Sequence, residues 1–117
     1  MSELTDHEYG KIAEETLSEL VQFLEDFSDD LDIEEFDVEY SQGVLTLSIG
    51  RIGTYVINKQ PPNKQIWLSS PISGPERYDF DQAKNAWFCR HTDESLGALL
   101  TRELSEAFKE ELELPIK

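Results

Sequence analysis

A single cysteine, Cys89, excludes an internal disulfide and a zinc knuckle and fits a reducing compartment. Two histidines, His7 and His91, are too few for a histidine-built metal cage. No apolar run approaches the roughly 18 residues that suggest a membrane span. Internal repeats and low-complexity tracts are absent. The opening residues, MSELTDHEYG, hold neither a basic-apolar signal pattern nor an Arg-rich transit pattern. Base is scarce as well: 10 Lys and Arg face 25 Asp and Glu, giving a net charge of -15. That field repels phosphate backbones and anionic headgroups, and no basic stripe offsets it, so nucleic acid and membrane surfaces are poor partners. Neither a nucleophile elbow nor a phosphate-binding glycine loop is present. Two carboxylates picked from 25 would be no evidence of acid–base chemistry.

The shortage of base is local. Between Glu3 and Glu39 there are 15 acids and one base, Lys11. From Tyr40 to Phe80 the balance reverses, with Arg51, Lys59, Lys64 and Arg77 against Glu76 and Asp79. Two electrically distinct surfaces are therefore expected, one able to hold cations and one able to engage acidic or polar partners. The length of 117 residues suits one domain spanning 1–117. A hydrophobic content of 38%, with two Trp, four Tyr and six Phe, supplies a core and argues against disorder.

Thr5 and Glu8 have capping-box spacing, and Tyr9, Ile12, Ala13, Thr16, Leu20, Phe23, Leu24 and Phe27 recur at helical period, which predicts a helix from about Asp6 to Ser28. Phe36, Val38 and Tyr40 alternate with acids, and Gln42-Gly43 turns the chain into a strand over 44–49. Further strands are expected over 54–59, 65–69, 77–81 and 86–90, with Pro61-Pro62-Asn63 as a break and Pro71, Gly74 and Pro75 opening a loop. Ser95 is a candidate N-cap for a second amphipathic helix carrying Leu96, Leu99, Leu100, Leu104, Ala107, Phe108 and Leu112 and ending at Pro115. Short connections favour an antiparallel meander of about six strands. Its inward set includes Leu45, Leu47, Ile49, Tyr55, Ile57, Ile66 and Leu68. The expected fold is α+β: a two-layer sandwich with the N- and C-terminal helices packed on one face of the sheet.

Glu8, Glu14, Glu15, Glu19, Glu25, Asp26 and Asp29 fall opposite the apolar stripe of the first helix. Like charges at this spacing cost about 0.2–0.5 kcal/mol per pair, on the order of 2 kcal/mol for the face before salt screening. One reading is a solvated face kept acidic for solubility. The other is a shallow surface for hard cations such as iron, manganese, magnesium or calcium, weak and exchangeable because no cage motif is visible. His7 could add a nitrogen donor or serve only in the capping turn. Cys89, within a strand, reads as structural. Ile66 and Leu68 alternate inward and so send Trp67 to the helix-free face, where an indole beside an amide and a guanidinium suits a binding hot spot. A ring covered by a loop, an Arg77 paired with Glu76 or Asp79, and an Asn58 serving a turn are the bland alternatives.

Thr54 to Asp79 reads TYVINKQPPNKQIWLSSPISGPERYD. With AEETLSEL before it, the hairpin DVEYSQGVLTLSIG, and AWFCR and SLGALLTRELSEAF after it, this segment closely resembles the frataxin family in its eukaryotic form. The resemblance extends over nearly the whole chain. It implies an α/β sandwich acting in mitochondrial iron-sulfur cluster assembly, in the matrix, with weakly bound ferrous or ferric iron. On this sequence the matching iron positions are Asp6, Glu14, Glu15, Glu25, Asp26 and Asp29 on the helix, and Glu35 and Asp37 at the first strand. The resemblance also implies docking on the complex of cysteine desulfurase and scaffold protein, with faster persulfide transfer, through Asn58, Gln60, Trp67 and Arg77. A monomer with iron-dependent oligomers is expected. The alternative activity implied is ferroxidase and iron storage at the acidic ridge. Gly10, Ser18 and Gln22 stand where some relatives place acids, so a smaller iron surface is expected. Longer members of the family cover the groove between the helices with a C-terminal tail, so an end at Lys117, soon after the second helix, predicts lower stability, and the lack of a transit pattern predicts a mature or truncated form.

Overall fold

The computed structural model describes residues 4–31, 36–50 and 52–117. Helix α1 (Asp6–Leu31) opens with the predicted capping box. The Glu8 N–H donates to Thr5 Oγ1 at 3.0 Å, and the Thr5 N–H donates to Glu8 Oε1 at 2.9 Å. That backbone N–H, with the Thr5 hydroxyl, holds the Glu8 carboxyl below its ordinary value. The helix runs past Ser28, although its last turn holds no base to match the helix dipole. Packing carries that end: Phe27 meets Phe23, Phe36 and Phe108 at centroid distances of 6.2, 6.2 and 5.0 Å.

The sheet is β1 (Phe36–Ser41), β2 (Val44–Ile49), β3 (Gly53–Gln60), β4 (Gln65–Ser70), β5 (Gly74–Asp81), β6 (Ala86–Cys89) and β7 (Glu94–Ser95), antiparallel throughout and ordered as in sequence. Among the described residues there are seven strands where about six were expected, because β7 is too short to show an alternation. Its Ser95 also caps α2 (Leu96–Phe108), accepting from the Ala98 N–H at 3.1 Å. Strand β5 starts earlier than 77 and includes Pro75. Pairing with β6 begins only at Asp79, so the missing Pro75 N–H faces no neighbour there.

Helix α2 stops at Phe108, and Leu112 lies beyond it. Lys109 takes a left-handed conformation (φ 55°), its N–H reaches the Glu106 carbonyl, and the Glu110 N–H reaches the Ser105 carbonyl, which together form a Schellman stop. A lysine in that position costs roughly 1–2 kcal/mol relative to the right-handed form, and without a glycine the sequence gives no warning of it. The tail then runs back along α2. Leu112 is buried, Leu114 and Ile116 pack on the core, and the Gly97 N–H donates to the Lys117 carbonyl at 3.0 Å. A Cβ on Gly97 would collide with the Ile116 and Lys117 carbonyls, so only glycine admits this closure. The tail therefore supplies apolar cover alongside α2.

One hydrophobic core lies between the helices and the inner sheet face, and every predicted inward residue is in it. Trp87, also inward, donates to Thr16 Oγ1 at 3.0 Å and stands edge-on to Tyr9 and Phe80. Glu103 of α2 is buried with it. Its Oε1 accepts from the hydroxyls of Tyr55 (2.7 Å) and Ser70 (2.8 Å), and the Ser70 oxygen in turn accepts the N–H groups of Ile72 and Ser73. Burial, reinforced by that carboxylate, pushes the Tyr55 hydroxyl pKa well up. No described helix is long and apolar enough to cross a membrane.

Candidate functional site: an acidic ridge and an open sheet face

The α1 acids from Asp6 to Asp29 are exposed, but they do not form one set. Glu14 is engaged: its Oε1 accepts from the Tyr40 hydroxyl at 2.7 Å and from Lys59 Nζ at 3.0 Å, and its Oε2 accepts from Ser18 at 3.0 Å. The Tyr40 and Lys59 bonds hold its carboxyl below the ordinary value. This residue ties α1 to β1 and β3. Ser18, expected to thin the ridge, is used to complete that tie. Asp6 faces Lys64 Nζ at 3.7 Å while almost wholly exposed. Asp26 accepts from Gln22 Nε2 at 3.0 Å, so a second departure from the acidic pattern also supports a neighbour.

Glu15, Glu19, Gln22, Asp26 and Asp29 step along α1 at three- and four-residue spacing, an exposed stripe whose carboxylates have hydrated oxygens to offer. His7 is exposed at the start of the helix, and Glu25 lies beside the stripe. Asp37 is separate: its neighbours Phe36 and Val38 face the helices, so Asp37 projects from the opposite side of β1. Glu35 falls outside the described residues. Among the described residues no group of three or more His, Cys, Asp or Glu is close enough to cage a metal ion. Hard-oxygen donors spread this way suit hydrated, exchangeable cations.

The helix-free face is organised by register. Val44 pairs with Asn58, Asn58 with Trp67, and Trp67 with Arg77, so three of the four predicted contact residues form one straight row across β2 to β5. Val44, 38% exposed at the end of that row, adds an apolar group that sequence reading did not single out. The Arg77 guanidinium lies 5.0 Å from the Trp67 ring centroid, a stacked cation–π pair. The indole N–H donates to Gln65 Oε1 at 2.8 Å, and Gln65 Nε2 donates to Asp79 Oδ1 at 3.1 Å. This chain of bonds fixes the ring without hiding it.

Trp67 is thus covered by Arg77 rather than by a loop. Asp79 is occupied by Gln65, and Glu76 lies on the other parity, near Cys89 Sγ (3.5 Å) and His91 Nδ1 (3.6 Å). Arg77 makes no ion pair among the described residues. Asn58 is mid-strand, with its Nδ2 donating to the Lys59 carbonyl at 3.2 Å. Gln60 sits one row away, opposite Gln65, and its N–H donates to the Tyr9 hydroxyl. Cys89 is buried in β6. Gln65, Asp79, Arg90 and His91 also line the groove that contains this row, which has a volume of about 550 Å³. The signal for Gln65 and Asp79 was available: each stands two residues from a predicted contact in its own strand, on the same face.

The architecture is a two-layer α+β sandwich, with two helices on one face of an antiparallel meander and a structured polar-aromatic row on the other. The chain belongs to the frataxin family: a family model described as "Frataxin-like domain" matches residues 2–110. It is 46% identical over 113 residues to "Frataxin, mitochondrial" of Arabidopsis thaliana, covering 97% of this chain and 60% of that protein. It is 42% identical over 110 residues to "Frataxin homolog, mitochondrial" of Schizosaccharomyces pombe, covering 94% and 70%. The chain thus spans well under the full length of these relatives. Among solved structures, yeast frataxin superposes with a TM-score of 0.78 at 43% identity, covering 91% of this chain and 85% of that one. A trimeric frataxin from Saccharomyces cerevisiae, complexed with ferrous, superposes at 0.74 with 39% identity, covering 94% and 91%.

Proposed function

We infer that this chain works as a single-domain mitochondrial assembly factor for iron-sulfur clusters. In this reading it docks through its open sheet face on the complex of cysteine desulfurase and scaffold protein in the matrix. There it speeds movement of persulfide sulfur to the scaffold. Ferrous iron is cargo held weakly along the α1 stripe, by Glu15, Glu25, Asp26 and Asp29, with Asp6, His7, Glu14, Glu35 and Asp37 as secondary or electrostatic contributors. The observation that carries the reading is the row Asn58, Trp67, Arg77. A half-exposed indole held by an amide and a guanidinium on a helix-free face has no role in the core and has the composition of an interface hot spot. The relatives' names support the compartment, and the ferrous complex of the yeast protein supports iron.

The test is a sulfur-transfer assay with purified desulfurase and scaffold. Trp67→Ala and Asn58→Ala should each abolish stimulation while the melting temperature and iron binding stay close to wild type. Undiminished stimulation by both variants would sink the reading. The yeast trimer with ferrous iron favours a second reading, in which the ridge oxidises ferrous iron and stores the product in oligomers. Neutralising Glu15, Glu25, Asp26 and Asp29 should then remove oxygen-dependent iron oxidation. A wild-type rate equal to that of free iron in buffer rejects it.

A further inference from the structure

Most of the described bases that line up with the helices are neutralised inside the molecule: Lys59 by Glu14, Lys64 by Asp6 and Arg102 by Glu94. Two bases in the groove on the open face have no such partner. Arg77 lies over Trp67 with no carboxylate partner, and Arg90, exposed just past β6, has no hydrogen bond or ion pair among the described residues. The two acids lining the same groove pair with neither guanidinium: Asp79 Oδ1 accepts from the Gln65 amide, and Glu76 Oε1 lies near Cys89 Sγ and His91 Nδ1. In a chain of net charge -15, this is a place where two guanidinium groups stand without a carboxylate partner among the described residues.

Resting on the docking role argued above, we propose that this groove receives an extended partner segment carrying an Asp or Glu side chain. Its carboxylate is taken by Arg77 and Arg90, and a neighbouring apolar side chain lies on the Trp67 indole. A guanidinium presents its N–H donors as a planar fork that matches a carboxylate. The volume of about 550 Å³ suits a few side chains and not a folded element. A polyanion is disfavoured by the charge of the whole chain, whereas one carboxylate set between apolar residues meets the local donors and the ring together. Arg90 is then a specificity determinant for the docking partner that the sequence did not mark. Its exposure beyond β6 means that replacing it leaves the packing intact.

Two arms test this. In the first, the full chain is titrated with the capped peptide Leu-Glu-Leu, its Gln counterpart and inorganic phosphate, while the Trp67 indole N–H and the Arg side-chain N–H signals are followed by NMR. The Glu peptide should shift these signals with an affinity in the range of about 1 mM, the Gln peptide should bind at least about fivefold more weakly, and Arg90→Glu should remove the response. Equal shifts from the Glu and Gln peptides, no shift from either, or a response to phosphate as strong as that to the Glu peptide would each overturn the proposal. In the second arm, docking on the desulfurase–scaffold complex should weaken about tenfold in Arg90→Glu and only slightly in Arg90→Lys, with the difference shrinking as salt is raised. If Arg90→Glu docks like wild type while Trp67→Ala does not, the carboxylate proposal falls and the docking role stands. If wild type itself does not dock, the docking role falls, and the peptide arm alone decides the groove.

Discussion

The acidic stripe of α1 and the open face of the sheet are both polar and both solvent-exposed, yet they are built in opposite ways. Along the stripe, charge is high and fixation is low: Glu15, Glu25 and Asp29 extend into water without a partner among the described residues, and their positions follow from helical spacing alone. On the sheet face, net charge is small and fixation is high. Trp67 is held by Gln65 and Arg77, Gln65 by Asp79, and all of them by pairings across β4 and β5. A loose array of carboxylates can exchange ions. A pre-ordered row loses little entropy on docking, which is the condition for a specific contact.

The contrast can be broken most forcefully from beneath. Leu68 stands next to Trp67 in β4 and is buried in the core, so Leu68→Ala should cost about 2–5 kcal/mol in urea unfolding, while Glu15→Ala on the exposed stripe should stay within about 0.5 kcal/mol. Similar losses in the two variants would erase the distinction. Next in size is the stripe itself: the pair Glu15→Gln with Asp29→Asn should raise stability by about 1 kcal/mol at low salt and blunt the stabilisation given by added salt or magnesium. A flat salt response in wild type would show that the stripe carries no strain.

Glu14 sharpens the comparison, because it belongs to the ridge by sequence and to the scaffold by contact. Its folded-state carboxyl titrates below the ordinary value, so its contribution is present above the unfolded pKa and is lost as pH falls through the folded one. Glu14→Gln should therefore lower stability by about 0.5–1 kcal/mol near neutral pH, a figure reduced for solvent exposure. The gap to wild type should close as both are acidified below about pH 4. A gap that widens on acidification would contradict the tie to Tyr40 and Lys59. The smallest effect expected is that of Arg77→Lys, which keeps the charge and loses the stacked plane. Stability should change by no more than about 0.5 kcal/mol, while Trp67 emission shifts as the ring becomes more exposed. Unaltered emission would mean that Arg77 does not cover the indole.

Much of this was legible in the chain. The Thr5–Glu8 box, the inward set from Leu45 to Leu68, and the opposite parity of Trp67 follow from local spacing, and each is found as expected. Lys109 marks a limit of such reading, since a left-handed lysine stops α2 where the leucine spacing runs on to Leu112. The engagement of Glu14 marks another. Tyr40 and Lys59 lie far from it in sequence, and only the crossing of α1 over β1 and β3 brings them together. Arg90 was not marked because an unpaired guanidinium is recognised only after the partners of every nearby acid are known.

The hydroxyl of Tyr9 donates to the Gln65 carbonyl at 2.7 Å and accepts the Gln60 N–H at 2.9 Å. It thereby closes the mouth of the hairpin around the short 3₁₀ turn Pro61–Asn63 with a group from α1. The Gln60 amide proton is consequently a clock for the first helix. Its exchange with deuterium requires Tyr9 to withdraw, so the rate at that one backbone position reads how often α1 lifts from the sheet. Motion of the acidic helix against the sheet can thus be read from one backbone signal on the sheet.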